Sequence, residues 1–128
     1  MDKTTLVEKY IDDGKVLLEA IDKEEHKIDA ALWFFNSEHE RWRLVIASPY
    51  VKKEGPKKMY QHIQKILKKL NKKVDISLED IQVMKPNEKL INSIRSVIRT
   101  GPGIKNIRFS NNVINNELIE DAYIYRMV

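Results

Sequence analysis

The chain has 128 residues, a formal net charge of +4, 42% hydrophobic residues and 33% charged ones. That length suits one domain with a buried core, and the balance excludes a chain too polar to collapse. The absence of cysteine excludes disulfides, thiol nucleophiles and thiolate metal sites, and it suits a reducing, cytoplasmic setting.

No apolar run approaches the roughly 20 residues of a membrane-spanning helix. The opening MDKTTLVEKYIDDG has acids scattered through it and does not read as a signal peptide. Residues 3–23 then carry apolar side chains at Leu6, Val7, Tyr10, Ile11, Leu17, Leu18 and Ile21, the rhythm of a one-sided helix. Gly14 falls on the same face. It costs about 1 kcal/mol of helix propensity relative to alanine, and close approach of a neighbouring backbone is the expected return.

The period then changes. Residues 28–35 (IDAALWFF) and 41–47 (RWRLVIA) predict two strands joined by the polar loop Asn-Ser-Glu-His-Glu. The first is apolar on both faces, as a strand covered on both sides must be. The second alternates, with Trp42, Leu44 and Ile46 opposite Arg41, Arg43 and Val45. Ser48-Pro49 ends the ladder, because proline has no N–H to donate.

Residues 52–73 (KKEGPKKMYQHIQKILKKLNKK) hold nine lysines and one glutamate, a net charge of +8. Gly55-Pro56 predicts a helix start, and the helix is expected over 56–73. Met59, Ile63, Ile66, Leu67 and Leu70 share one face. Lys57, Lys58, Lys65, Lys68, Lys69 and Lys72 project onto the other arc. Like charges four residues apart, such as Lys65 with Lys69, oppose the helix by about 0.2–0.5 kcal/mol per pair.

Ser77 and Asp80 have capping-box spacing, which predicts a single helical turn before a short strand at 81–84. A third helix is expected over 87–100, burying Leu90, Ile91, Ile94, Val97 and Ile98, with Gly101 as C-cap and Pro102 barring continuation. Residues 104–109 and 118–127 read as strands. Asn111-Asn112 and Asn115-Asn116 are both placed to make tight hairpin turns. In the last strand, Ala122, Ile124 and Arg126 alternate with Tyr123, Tyr125 and Met127. The expected fold is α+β: one mainly antiparallel sheet of about five to six strands with three helices packed on it, in the order α-β-β-α-β-α-β-β-β.

Chemistry is sparse. His26, His39 and His62 lie in different elements without ligand spacing, and Glu38-His39-Glu40 is three consecutive residues that do not converge on one ion. No metal site and no cofactor are expected. Glu25-His26-Lys27 has half of a nuclease pattern, but eleven glutamates and seventeen lysines produce such triplets by accident. Thr100-Gly101-Pro102-Gly103 lacks the Lys-Ser/Thr ending of a phosphate loop and follows a helix where such a loop precedes one. It reads as a helix stop. No catalytic residue is assigned.

Three functional readings follow. A non-enzymatic protein that contacts a polyanion, nucleic acid first, through Lys57, Lys58, Lys65, Lys68, Lys69 and Lys72 is preferred. Lysine without arginine favours phosphate contact over base reading. The alternative is a protein-interaction module of inhibitor, antitoxin or immunity type, docking the same face on an acidic protein. The third is a metal-independent ribonuclease using Arg95, Arg99, Arg108, Tyr123, Tyr125 and Arg126. A rival to all three is local: residues 1–30 hold nine acids and five lysines, so an acidic first helix facing the lysines would neutralise them internally. Trp33, Phe34, Phe35 and Trp42 read as core, and Tyr50 and Tyr60 as the rings best placed for exposure. No membrane contact is expected. An open C-terminal strand would allow a dimer.

Overall fold

The structure, a computed structural model, describes residues 5–24 and 26–128. Among the described residues four helices, α1 (Glu8–Lys23), α2 (Pro49–Glu54), α3 (Pro56–Leu70) and α4 (Lys89–Arg95), accompany five strands. These are β1 (Ala30–Asn36), β2 (Arg41–Ala47), β3 (Ile81–Met84), β4 (Ile107–Ile114) and β5 (Glu117–Met127). They form one sheet in the order β3-β2-β1-β5-β4. The β1/β2, β1/β5 and β4/β5 pairs are antiparallel and β2/β3 is parallel. The fold is α+β, as the element order implies.

Two apolar clusters sandwich the sheet. On one face, Ala31, Trp33, Trp42, Leu44 and Ile46 pack with Leu17, Leu18 and Ile21 of α1 and with Met59, Ile63 and Ile66 of α3. On the other, Leu32, Val45, Ala122, Ile124 and Met127 pack with Ile91 and Ile94 of α4. This explains the two-sided apolarity of β1, which lies centrally with both faces covered.

Gly14 is where α1 meets the sheet. A Cβ built there would overlap the Tyr125 hydroxyl and lie 2.9 Å from Trp33 Nε1. Without it, Tyr125 donates to the Ile11 carbonyl at 2.5 Å and accepts from Trp33 Nε1 at 3.0 Å. Burial pushes the Tyr125 hydroxyl far above its ordinary value, against the smaller opposing pull of the Trp33 hydrogen bond. The native state therefore holds this proton more tightly than the unfolded chain, so stability is full below about pH 10 and falls as pH rises beyond it. Tyr125→Phe is expected to cost about 1–3 kcal/mol at neutral pH by stranding buried partners. It should also remove part of the alkaline loss seen in urea titrations, and an unchanged alkaline slope would refute the assignment.

Four sequence expectations need correction. First, Ser48-Pro49 ends β2 but also starts α2: the Ser48 hydroxyl accepts from the Tyr50 N–H at 3.1 Å and Pro49 opens the helix. Second, α4 stops at Arg95 instead of residue 100, and Val97 is 56% exposed. The chain is drawn off to serve the free edge of β5, where Thr100 N–H donates to Met127 O, Met127 N–H to Thr100 Oγ1, and Lys105 N–H to Tyr125 O. Those bonds satisfy backbone groups that β4 does not reach, and they outweigh another helical turn.

Third, Asn111-Asn112 is not a turn. Asn111 takes a left-handed φ of 53° inside β4, while the pairing with β5 keeps one register on either side. The hairpin turn is Asn115-Asn116, with φ values of 52° and 65° as a two-residue turn of that hand requires. The described residues accordingly form five strands, within the expected five to six. Fourth, alternation in β5 breaks at a bulge: Leu32 pairs with Ile124 but Ala31 with Arg126, leaving Tyr125 extra. Met127 thus joins Ile124 in the α4-side core, and Arg126 turns to the α1 side.

The Ser77–Asp80 capping box forms as expected, leading from a helical turn into β3. α3 ends at Leu70, and residues 71–73 continue as a tighter 3-10 turn.

Candidate nucleic-acid interface

The amphipathic pattern of α3 is fully expressed. Met59, Ile63 and Ile66 are buried, Leu67 and Leu70 pack at the margin, and Lys57, Lys58, Lys65, Lys68, Lys69 and Lys72 are all exposed. Lys58 approaches Glu54 at 4.0 Å, and Lys69 is hydrogen-bonded to Glu24 at 2.8 Å. Among the described residues, Lys57, Lys65, Lys68 and Lys72 have no ion pair.

Two of the five acids of α1, Asp13 and Asp22, are engaged elsewhere. Asp13 accepts from the Asp75 N–H at 2.8 Å and from Lys9 at 3.0 Å, tying α1 to residues 74–78. Asp22 takes the Arg126 guanidinium through both oxygens, at 3.0 and 2.8 Å. Among the described residues, no ion pair joins α1 itself to α3; Lys69 pairs with Glu24, the residue that caps the C-terminus of α1. The lysine hydrogen bond and charge hold the Glu24 carboxyl below the usual carboxylate range. Beside the C-terminal end of α3 runs an open groove of about 710 Å³, with Lys68 and Lys72 in its lining.

A second cluster adjoins the lysines and was not readable from spacing. His26, Tyr50 and His62 are 36 residues apart at the extremes, yet their rings gather: His26 to His62 at 4.4 Å between centroids, His26 to Tyr50 at 5.0 Å, Tyr50 to His62 at 5.1 Å. Tyr50 Oη lies 2.7 Å from His62 Nε2. The cluster is assembled by Ser48, whose hydroxyl donates to the Lys27 carbonyl at 2.6 Å and so brings the segment after α1 against the start of α2. Burial first, then the positive neighbours His26, Lys65 and Lys58, lower the His62 pKa below its ordinary value, with Glu24 opposing. His39 lies far off in the β1–β2 loop. Among the described residues no group of three or more histidines and acids is arranged to hold a metal. Glu25, of the Glu-His-Lys triplet, lies outside the described residues.

The other expected features fall differently. Trp33 and Trp42 are buried, and Phe34 and Phe35 are partly so. Tyr50 and Tyr60 are half-buried and not free for stacking. Tyr60 covers the outer edge of β3, its hydroxyl accepting from Val83 N–H at 3.1 Å and donating to Ile81 O at 3.4 Å. The side chains gathered for ribonuclease chemistry are largely occupied within the protein. Arg108 makes two bonds to Asp121, Arg126 binds Asp22, Tyr125 is buried, and Arg95 donates to the Val128 and Pro86 carbonyls. None of the described helices is long and apolar enough to cross a membrane. Comparison of the chain with protein-family models, with curated proteins and with solved structures finds no match.

Proposed function

We propose that the protein binds a polyanion, nucleic acid in the first place, along the exposed lysine row of α3. The observation that carries this reading is that Lys57, Lys65, Lys68 and Lys72 stand in solvent without a counter-charge among the described residues. A row of ammonium groups on a rigid helix costs repulsion that a phosphate backbone relieves. Lysine donates as a point charge, so contact with phosphates and little base preference are expected. Arginine is absent from residues 52–73, which argues against bidentate reading of guanine edges.

The test is fluorescence anisotropy with a labelled mixed-sequence duplex and a single strand at about 50 and about 200 mM salt. Four released counterions would weaken binding on the order of a hundredfold between those conditions. Reversing charge at Lys65, Lys68 and Lys72 together (each Lys→Glu) should lower affinity by at least about a hundredfold at the lower salt. Circular dichroism should show the fold kept. Equal affinity of this triple variant would sink the reading. Binding absent at low salt would leave the acidic-protein alternative, which a pull-down yielding stable protein and no nucleic-acid absorbance would favour.

A further inference from the structure

We propose that His26, Tyr50 and His62 form a phosphodiester-contact subsite that continues the lysine row of α3, so that nucleic-acid binding takes up a proton. The inference rests on the lysine reading above and extends it to a second, differently tuned group of donors.

The geometry supplies the mechanism. With its proton on Nδ1, a neutral His62 accepts at Nε2 from the Tyr50 hydroxyl, 2.7 Å away, and that hydroxyl has no proton left for a ligand. Protonation reverses the bond. An imidazolium donates from Nε2 to Tyr50 Oη, and the Tyr50 hydroxyl proton becomes free to reach a phosphate oxygen. One proton thus adds a positive charge and releases a neutral donor at the same place. The balance is simple: the proton comes from solvent and no covalent bond to the ligand forms or breaks.

The surroundings decide when this happens. The groups facing His62 are Glu24 at the end of α1, His26 in the segment that follows, Tyr50 on α2, and Lys58 and Lys65 on α3 itself. Burial and three positive neighbours disfavour the imidazolium in the free protein, while Glu24, already engaged by Lys69, gives limited relief. A phosphate at the cluster reverses that balance, so ligand and proton favour each other by reciprocal linkage. The two imidazoles are too close for phosphodiester cleavage. At 4.4 Å between centroids they leave no room for an in-line phosphorus with acid and base on opposite sides. The cluster contacts the backbone and does not cut it.

The experiment uses an oligothymidylate without terminal phosphate, whose bases and diesters do not titrate in the range, at fixed salt and at about pH 5.5 and about pH 8. Wild-type protein should bind about five- to tenfold more tightly at the lower pH. The double variant His26→Gln/His62→Gln should lose the gain at low pH, and His39→Gln should keep it. An NMR titration of the His62 ring in intact protein should show its midpoint rising when the oligonucleotide is added, a readout independent of the variants. A low-pH gain that survives in the double variant, no gain in wild type, or an unmoved His62 midpoint would each overturn the subsite while leaving the lysine row standing. Absence of salt-dependent binding at pH 8 would instead overturn the lysine reading and the subsite with it.

Discussion

Gly14→Ala is expected to destabilise the protein by about 2–4 kcal/mol, against the direction that helix propensity alone would give. An alanine in mid-helix ordinarily gains about 1 kcal/mol over glycine. Here the added methyl overlaps the Tyr125 hydroxyl and crowds Trp33 Nε1 and Tyr125 Cζ, each 2.9 Å away. Neither aromatic can withdraw: Trp33 and Tyr125 are among the largest fully buried side chains, and their polar atoms are committed to one another and to α1 carbonyls. Either α1 lifts off the sheet or the network breaks. Urea denaturation measures the effect. The companion variant Gly14→Ala/Tyr125→Phe should recover part of the loss, because the overlapping oxygen is gone, giving a clear interaction energy in the double-mutant cycle. A neutral or stabilising Gly14→Ala would mean that α1 does not sit this close.

Asp22→Ala is expected to cost about 3–5 kcal/mol, and more than removal of its partner. The bulge in β5 turns Arg126 inward, where it is 5% exposed, and its guanidinium meets both oxygens of Asp22. Deleting the carboxylate strands a buried cation whose Nε already lacks a partner. Deleting the cation instead leaves Asp22, whose side chain is 37% exposed and can be hydrated. Arg126→Met keeps the apolar stem and should cost only about 1–2 kcal/mol. The ordering is the informative result, read from paired denaturation curves. If Arg126→Met were the more damaging, packing of the stem and not its charge would hold α1 to β5.

The same ion pair bears on the functional reading. Asp22 is committed to Arg126, and Asp13 to the Asp75 N–H and Lys9, and among the described residues Lys57, Lys65, Lys68 and Lys72 have no ion pair. The rival in which an acidic α1 neutralises the row is realised at Lys69–Glu24 and not beyond it among the described residues.

Local order is written in the residue pattern. Periods of 3.6 and 2 placed α1, α3, β1, β2 and β3, because apolar spacing dictates which face each element must bury. The Ser77–Asp80 box and the Asn115-Asn116 turn follow from short-range sterics and hydrogen bonding, and they too were legible; at Gly14 the close approach was legible, but it is made by the side chains of Tyr125 and Trp33 and not by the expected neighbouring backbone. The Ser48-Pro49 start of α2 was legible in principle, as an N-cap followed by a first-turn proline.

Three features depend on contacts between distant parts of the chain. α4 ends early because Thr100 and Lys105 answer unpaired groups on β5, a demand invisible within residues 87–100. Asn111 bends β4 without ending it, since pairing with β5 resumes on its far side in the same register. His26, Tyr50 and His62 meet because the Ser48–Lys27 bond brings two distant segments together. Hydrophobic periodicity specifies a face but not a neighbour; contacts between residues far apart in the chain depend on how the faces close over one another.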